Sequence, residues 1–227
     1  MPRDVQGGER RRVKASLNGG FSFAPLPESF YKPGADVVAP LLLGHWLVRV
    51  TENGFCGGLI VETEAYLAND PASHGFKGRT ARNDAMFGPA GRAYVYFIYG
   101  NHWCFNAVCR GEGVAEAVLI RAIAPVFGME RMQARRPVGK PRELTNGPAK
   151  LCAALDIDRR LDGVSLHEAS SAVFIARNPR RAEELSALEP LVRSTRIGIT
   201  KAADMRLRFY LEGSEFVSRR QGVQRLG

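Results

Sequence analysis

The sequence lacks any uninterrupted apolar run that approaches the roughly 20 residues of a membrane-spanning helix. It also lacks an apolar segment behind the charged residues near its N-terminus, where a secretory signal would carry one. From these absences we expect a protein that does not bind membranes and that resides in the cytoplasm.

Cysteine and histidine are scarce, and neither is spaced as in a metal site. The cysteines are Cys56, Cys104, Cys109 and Cys152, and the histidines are His45, His74, His102 and His167. The sequence has no C-x-x-C pair, and its histidines stand singly. This pattern argues against both a zinc site and a disulfide framework. We therefore expect no metal site.

Acidic residues are outnumbered, with 32 Lys and Arg against 23 Asp and Glu, a net charge of +9. Such an excess favours polyanionic partners, most often nucleic acid. The basic clusters are 10–12, 131–142, 177–181 and 219–220. Anionic lipid is the weaker alternative because no amphipathic basic helix stands out, and a solvated basic surface without a partner remains open.

The 227 residues and 45% hydrophobic content suit one well-buried domain. Residues 1–28 mix Gly, Arg, Ser and Pro without periodicity, which predicts a flexible basic arm. The sequence predicts a domain over 29–219 and a flexible tail over 220–227.

The chain has one short apolar run that carries two carboxylates and an aromatic, Leu59–Tyr66. As a strand it alternates, so Glu62, Glu64 and Tyr66 share one face. Two carboxylates cost several kcal/mol to bury unless partners or water meet them, which indicates a cleft. The alternative is an edge strand whose glutamates are solvated.

Two further apolar segments carry features that are unusual for a core. Ala93–Val108 reads as a hairpin broken at Tyr99-Gly100-Asn101, with Tyr99 at its tip. An exposed aromatic there suits contact with a partner, although Tyr99 could instead fold back on neighbouring loops. Ala117–Ile123 reads as a buried strand containing one charge, Arg121, which predicts a carboxylate partner.

The polar segment Asp70–Gly88 resembles a functional loop, with Asp70-Pro71 as a plausible helix start. Arg82 and Asn83 in this segment are candidate phosphate contacts. Pro125–Gln133 reads as a helix. Pro148 begins another, whose N-terminus with Lys150 could hold a phosphate or simply be a capped helix end.

Together these segments resemble the alkyladenine (3-methyladenine) DNA glycosylase family of the vertebrate and bacterial type. The matching segments are 61–66, 82–83, 86–87, 94–100 with Asn106, 119–122, 146–152, 196–198 and 207–210. They follow in the family's order across about residues 30–218. The resemblance implies a single α+β domain around a curved, mostly antiparallel sheet that resembles an open barrel, with peripheral helices.

The resemblance implies a monomeric, nucleoid-associated enzyme that removes damaged purines such as 3-methyladenine, 7-methylguanine and hypoxanthine from double-stranded DNA. The base must be flipped out of the helix, and the resemblance implies that the base–sugar bond is hydrolysed without a metal or any other cofactor. Glu64 would activate the attacking water, and Arg121 and the Ile197 carbonyl would hold that water. Glu62 would support the site without taking part in the chemistry.

By the same resemblance, Tyr66, His74 and Tyr96 would stack on the base, and Asn106 would disfavour the exocyclic amine of guanine. Tyr99 would fill the vacated stack. The sequence departs from the family in a spacing one residue shorter before His74, a lengthened segment 110–117, and His102 at a position that can hold tyrosine. These departures bear on substrate range.

Two other functions fit parts of the sequence. A non-catalytic nucleic-acid-binding domain would keep Tyr99 and the basic surface, although Glu64 and Arg121 would then have no use. A glycosidase could use Glu62 and Glu64 as an inverting pair, roughly 6.5 to 9.5 Å apart. The basic composition does not favour a sugar cleft.

Overall fold

The computed structural model describes residues 22–98, 100–219 and 224–225. Within these residues nine strands form one antiparallel sheet. The strands are β1 (Trp46–Thr51), β2 (Gly54–Tyr66), β3 (Ala93–Ile98), β4 (His102–Cys109), β5 (Glu116–Phe127), β6 (Val173–Ala176), β7 (Leu191–Ser194), β8 (Arg208–Leu211) and β9 (Gln224–Arg225). The main path through the sheet is β3-β4-β5-β2-β8-β7-β9, and β1 pairs with both β2 and β6.

Four α-helices lie around the sheet within the described residues. They are α1 (Ala35–Leu42), α2 (Met129–Arg135), α3 (Pro148–Leu155) and α4 (Arg181–Ala187). Short 3₁₀ turns span Glu28–Tyr31, Asp84–Phe87, Pro141–Glu143 and Arg159–Leu161. The sheet curls into a half-barrel, which confirms the predicted single α+β domain. In the part of the chain described, no helix is both long and apolar enough to cross a membrane.

Strand β2 is central, which rules out a solvated edge strand. It pairs with β1, β5 and β8, and Glu62 and Glu64 are both 0% exposed. Val61 and Ala65 belong to the main apolar core, and the Thr63 hydroxyl donates to the Ala39 carbonyl in α1. The predicted alternation is therefore confirmed, with both carboxylates on the other face.

The sheet is irregular where the carboxylates lie. Ile60 of β2 pairs with Ile123 of β5, but Glu62 pairs with Ala122 and Thr63 with Ile120. Val61 is thus an extra residue in β2, and Arg121 is an extra residue in β5. Such bulges bend strands and change the direction of their side chains, and they are frequent beside active sites.

The segment before residue 29 packs against the sheet. Leu26 is buried, and its N–H donates to the Ile175 carbonyl. Phe23 lies within 5.2 Å, between ring centroids, of Phe55 and Phe127. The predicted boundary at residue 28 therefore cuts through a packed segment. Residues 1–21 of the predicted arm lie outside the described residues, as does most of the predicted tail.

Two local predictions are wrong. Residues 125–127 continue strand β5, so the helix predicted from Pro125 begins only at Met129. Asp70 does not start a helix, because it lies in a loop of turns. One oxygen of its carboxylate accepts the Ala72 N–H, which closes a local turn.

Candidate active site

Glu64 lies on β2 with three donors around its carboxylate. The Ile197 N–H donates to Oε1 at 2.8 Å, and the Tyr66 hydroxyl donates to Oε2 at 3.0 Å. Arg121 Nη1 lies 3.2 Å from Oε2. Because a carboxylate offers about four acceptor positions, this arrangement retains capacity for one more donor.

Glu62 is enclosed more tightly than Glu64. Oε1 accepts from Arg121 Nε at 2.9 Å and Arg208 Nε at 2.7 Å, and Oε2 accepts the Ser218 N–H at 2.7 Å. Burial alone would raise the pKa of this carboxyl. The two guanidinium groups and the backbone N–H more than offset burial, so the pKa lies below its ordinary value.

Arg121 joins the two carboxylates. Burial lowers the pKa of its guanidinium, but the charges of Glu64 and Glu62 outweigh that effect and raise the pKa. The side chain therefore stays positively charged. The prediction that Arg121 has a carboxylate partner is confirmed, and the structure shows two such partners, Glu62 and Glu64.

An aromatic cavity lies beside Tyr66, the residue whose hydroxyl donates to Glu64. Its volume is ≈ 30 Å³, and it is lined by Tyr66, His74, Met86, Tyr94, Tyr96 and Asn106. The His74 and Tyr96 rings meet edge to face, with centroids 4.4 Å apart. The structure thus brings together all four residues predicted for the base pocket. Met86 and Tyr94 are wall residues that the sequence reasoning missed, although both lie within motifs carrying the resemblance.

Tyr66 links the cavity to the carboxylate, because its ring lines the cavity while its hydroxyl donates to Glu64. Burial, followed by the Glu64 charge, raises the pKa of Tyr66 well above its ordinary value. The hydroxyl therefore keeps its proton and remains a donor. Burial and then the charge of Arg82 lower the pKa of His74, so its imidazole is neutral at neutral pH.

Asn83 shapes the loop that carries His74. Its Nδ2 donates to the carbonyls of His74 and Gly78, and its Oδ1 accepts from the N–H and hydroxyl of Thr80. These four bonds use the whole capacity of an amide side chain. The Asn83 side chain thus holds together the loop that carries His74, and the phosphate contact predicted for Asn83 remains a prediction.

Three other residues predicted from the sequence, Asn106, Arg82 and Lys150, each donate a hydrogen bond within the protein. Asn106 is buried, and its Nδ2 donates to the Tyr94 carbonyl at 2.9 Å. Arg82 is exposed and donates to the Phe97 carbonyl at the end of β3. Lys150 donates to Asn146 Oδ1 at 2.8 Å. The predicted wedge residue, Tyr99, lies outside the described residues.

The Ile197 backbone meets Glu64 through its N–H group, whereas the sequence prediction assigned a role to its carbonyl. This N–H fixes the carboxylate, and the role of the carbonyl remains a prediction. Ile197 lies in an irregular segment that follows β7.

A second buried ion pair lies behind Tyr66. Arg196 Nη2 donates to Asp70 Oδ1 at 3.0 Å, and its guanidinium carbon lies 4.7 Å from the Tyr66 ring centroid. The sequence reasoning missed this pair and also missed Arg208. The signal that identified Arg121, an arginine within an apolar strand, could also have identified Arg208.

The four cysteines are buried and unpaired by disulfides. Over residues 22–98 and 100–219, no group of three His, Cys, Asp or Glu side chains is placed to hold a metal ion.

Comparison with known proteins identifies the family. The Methylpurine-DNA glycosylase (MPG) family matches residues 29–215. A relative from Methanoculleus marisnigri is 52% identical over 195 residues, covering 86% of this chain and 99% of its own. A Francisella tularensis relative is 46% identical (80% and 92% covered), and one from Agrobacterium fabrum is 47% identical (88% and 95% covered).

Each of these relatives bears the name "Putative 3-methyladenine DNA glycosylase". The family match covers most of the chain, including both glutamates, Arg121 and the whole aromatic cavity. The chain therefore belongs to the methylpurine-DNA glycosylase family and is a DNA repair glycosylase, a hydrolase that acts on DNA.

Proposed function

We propose that this protein excises damaged purines, including 3-methyladenine, 7-methylguanine and hypoxanthine, from double-stranded DNA by means of a water activated by Glu64. The observation that carries the proposal is the buried Glu64 carboxylate beside an aromatic cavity whose wall, Tyr66, is hydrogen-bonded to it. A carboxylate there deprotonates the water and stabilises positive charge that develops on the sugar.

The contacts of Glu64 suit an activating base. The Ile197 N–H and the Tyr66 hydroxyl fix the orientation of the carboxylate, so that a remaining lone pair is available to a water molecule. Arg121 contacts the carboxylates of both Glu64 and Glu62, and these two contacts fix its guanidinium next to the position that we propose for the water. The Ile197 carbonyl is the further acceptor that we propose for that water.

The cavity suits a flipped purine in chemistry, because aromatic rings and the buried amide of Asn106 line it. Tyr66, His74 and Tyr96 would stack on the base, and Asn106 would disfavour the exocyclic amine of guanine.

Flipping needs a side chain that replaces the base in the stack. We propose Tyr99 for this role because it falls in the sequence between β3 and β4, the two strands of the hairpin. Arg82 donates to the Phe97 carbonyl near the end of β3, which supports the proposal that it contacts the backbone of the bound DNA. Contacts of that kind weaken as the salt concentration rises.

The test is base release from labelled duplexes containing hypoxanthine and from methylated genomic DNA. Abasic sites are revealed by alkali, and free 3-methyladenine and 7-methylguanine are quantified by chromatography. We expect release by the wild type, and little release by Glu64→Gln although that variant still binds damaged duplex. Undamaged duplex serves as the substrate control.

The same assay discriminates the alternatives. Binding of damaged duplex without release by the wild type would favour a lesion-binding protein. Release by Glu64→Gln at the wild-type rate would remove Glu64 from the mechanism. For the wedge, Tyr99→Ala is expected to weaken binding to damaged duplex, and unchanged binding would reject that role.

A further inference from the structure

The ion pair of Asp70 and Arg196 is rigidly built. Both side chains are 0% exposed, and they form two hydrogen bonds, Nη1 to Oδ2 and Nη2 to Oδ1. Arg196 Nη1 also donates to the Ala65 carbonyl at 3.0 Å. Because two parallel bonds and a carbonyl fix the planar guanidinium, its position relative to β2 is well defined.

The guanidinium covers one face of the Tyr66 ring. Its central carbon lies 4.7 Å from the ring centroid. Tyr66 lines the aromatic cavity together with His74 and Tyr96, and Arg196 is not among the lining residues. Because the guanidinium already occupies one face of the Tyr66 ring, a base that stacks on this ring must use the opposite face.

A charge in this position acts on the base through the ring. The face of an aromatic ring is negative and attracts cations. A cation on one face draws the π electrons toward itself and weakens the attraction of the other face for a second cation. A neutral base stacks mainly through contact area and dispersion, so the same guanidinium affects it much less.

Asp70 reduces this effect without cancelling it. Its carboxylate lies on the guanidinium edge, whereas the guanidinium itself lies against the ring. Arg196 Nε is buried and makes no hydrogen bond within the described residues. The other buried charges around Glu64 add no excess of either sign, since Arg121 and Arg208 face Glu62 and Glu64.

We propose that Arg196 sets the preference of the pocket between neutral and positively charged purines, and that Asp70 limits the strength of this effect. The proposal rests on the proposed function. It makes Arg196 a selectivity residue that never touches the base, and it predicts that the wild type disfavours cationic alkylpurines relative to a pocket without this charge.

The experiment compares single-turnover release of hypoxanthine, which is neutral, with release of 7-methylguanine from duplexes at mildly acidic pH, where it is cationic. The double variant Asp70→Asn/Arg196→Met removes both charges. We expect the ratio of the 7-methylguanine rate to the hypoxanthine rate to rise about two- to fivefold. This change corresponds to a cation–π term of about 0.5–1 kcal/mol at 1.36 kcal/mol per tenfold.

Two single variants control for loss of structure. Asp70→Asn leaves the arginine charge less compensated, so the ratio should move in the opposite direction, toward hypoxanthine. Arg196→Lys keeps the positive charge, and its ratio should stay near that of the wild type even where both rates fall. A purely structural role would lower both rates together and would not reverse the sign between variants.

An unchanged ratio in the double variant, or a shift in the same direction in Asp70→Asn, would overturn the proposal. If the double variant fails to fold, the direction of the shift in Asp70→Asn decides. If the wild type releases both bases but no variant changes the ratio of the two rates, this proposal fails and the proposed function stands. If the wild type releases neither base, the proposed function itself is rejected.

Discussion

Glu62 and Glu64 differ in their surroundings although they are two residues apart on the same face of one strand. Glu62 accepts from two arginines and from the Ser218 N–H, all of which are fixed parts of the fold. Glu64 accepts from one arginine, from the Ile197 N–H and from Tyr66, which is a wall of the aromatic cavity. One carboxylate is thus enclosed by the protein, and the other is connected to the place where a base would bind.

This difference fits the two roles that we propose for one residue type on one strand. The environment and not the side chain decides whether a carboxylate stabilises a fold or performs chemistry. Arg121 contacts both carboxylates, so Glu62 also fixes the arginine that we propose to assist Glu64 in catalysis. The predictions below test this division from the largest expected effect to the smallest.

The largest effect on stability is expected for Glu62→Gln. Removing one charge from a buried network leaves Arg208 and Arg121 poorly compensated, and such losses amount to about 3–5 kcal/mol. We expect the free energy of unfolding in denaturant titrations to fall by that amount. A change below about 1 kcal/mol would show that Glu62 is not the structural carboxylate.

The pH dependence of this stabilisation has a defined sign. The pKa of Glu62 is lowered in the folded state, so its contribution is complete above the ordinary glutamate pKa of about 4.3. It is lost as the pH falls through the lower folded-state value. The stability gap between the wild type and Glu62→Gln should therefore be constant near neutral pH and shrink below about pH 4. A gap that widens in acid would contradict the assignment.

A smaller loss of stability is expected for Glu64→Gln. The amide can still accept a hydrogen bond from the Ile197 N–H, and Arg121 keeps Glu62 as its partner. We expect the free energy of unfolding to fall by about 1–2 kcal/mol. Equal losses in the two glutamine variants would remove the distinction between the sites.

The smallest effect is expected for Tyr66→Phe. The ring stays in the cavity wall, and only the hydroxyl that donates to Glu64 is removed. One hydrogen bond contributes about 1 kcal/mol, so we expect single-turnover base release to slow about three- to tenfold. Duplex binding should be unchanged, and a full loss of release would assign Tyr66 a larger part in the chemistry.

Much of this site could be predicted from sequence because its main elements are local. The period-two pattern placed Glu62, Glu64 and Tyr66 on one face, and an arginine in an apolar strand predicted its ion pair. The hairpin predicted over Ala93–Val108 is also present as β3 and β4, because apolar runs flank its short turn.

The remainder depends on contacts between distant segments. Asp70 and Arg196 are 126 residues apart, and nothing in either local sequence indicates their pairing. Likewise, Ser218 meets Glu62 from 156 residues away. The bulges at Val61 and Arg121 arise from strand pairing, and the small volume of the cavity depends on how six side chains pack.

The most direct test of the central claim is single-turnover release of hypoxanthine by the wild type, Glu64→Gln and Glu62→Gln at a temperature where all three are folded. Loss of a general base typically costs about 10²–10⁴ in rate. We predict a loss of that size for Glu64→Gln and a clearly smaller one for Glu62→Gln. Release by Glu64→Gln at a rate equal to or above that of Glu62→Gln would contradict the account.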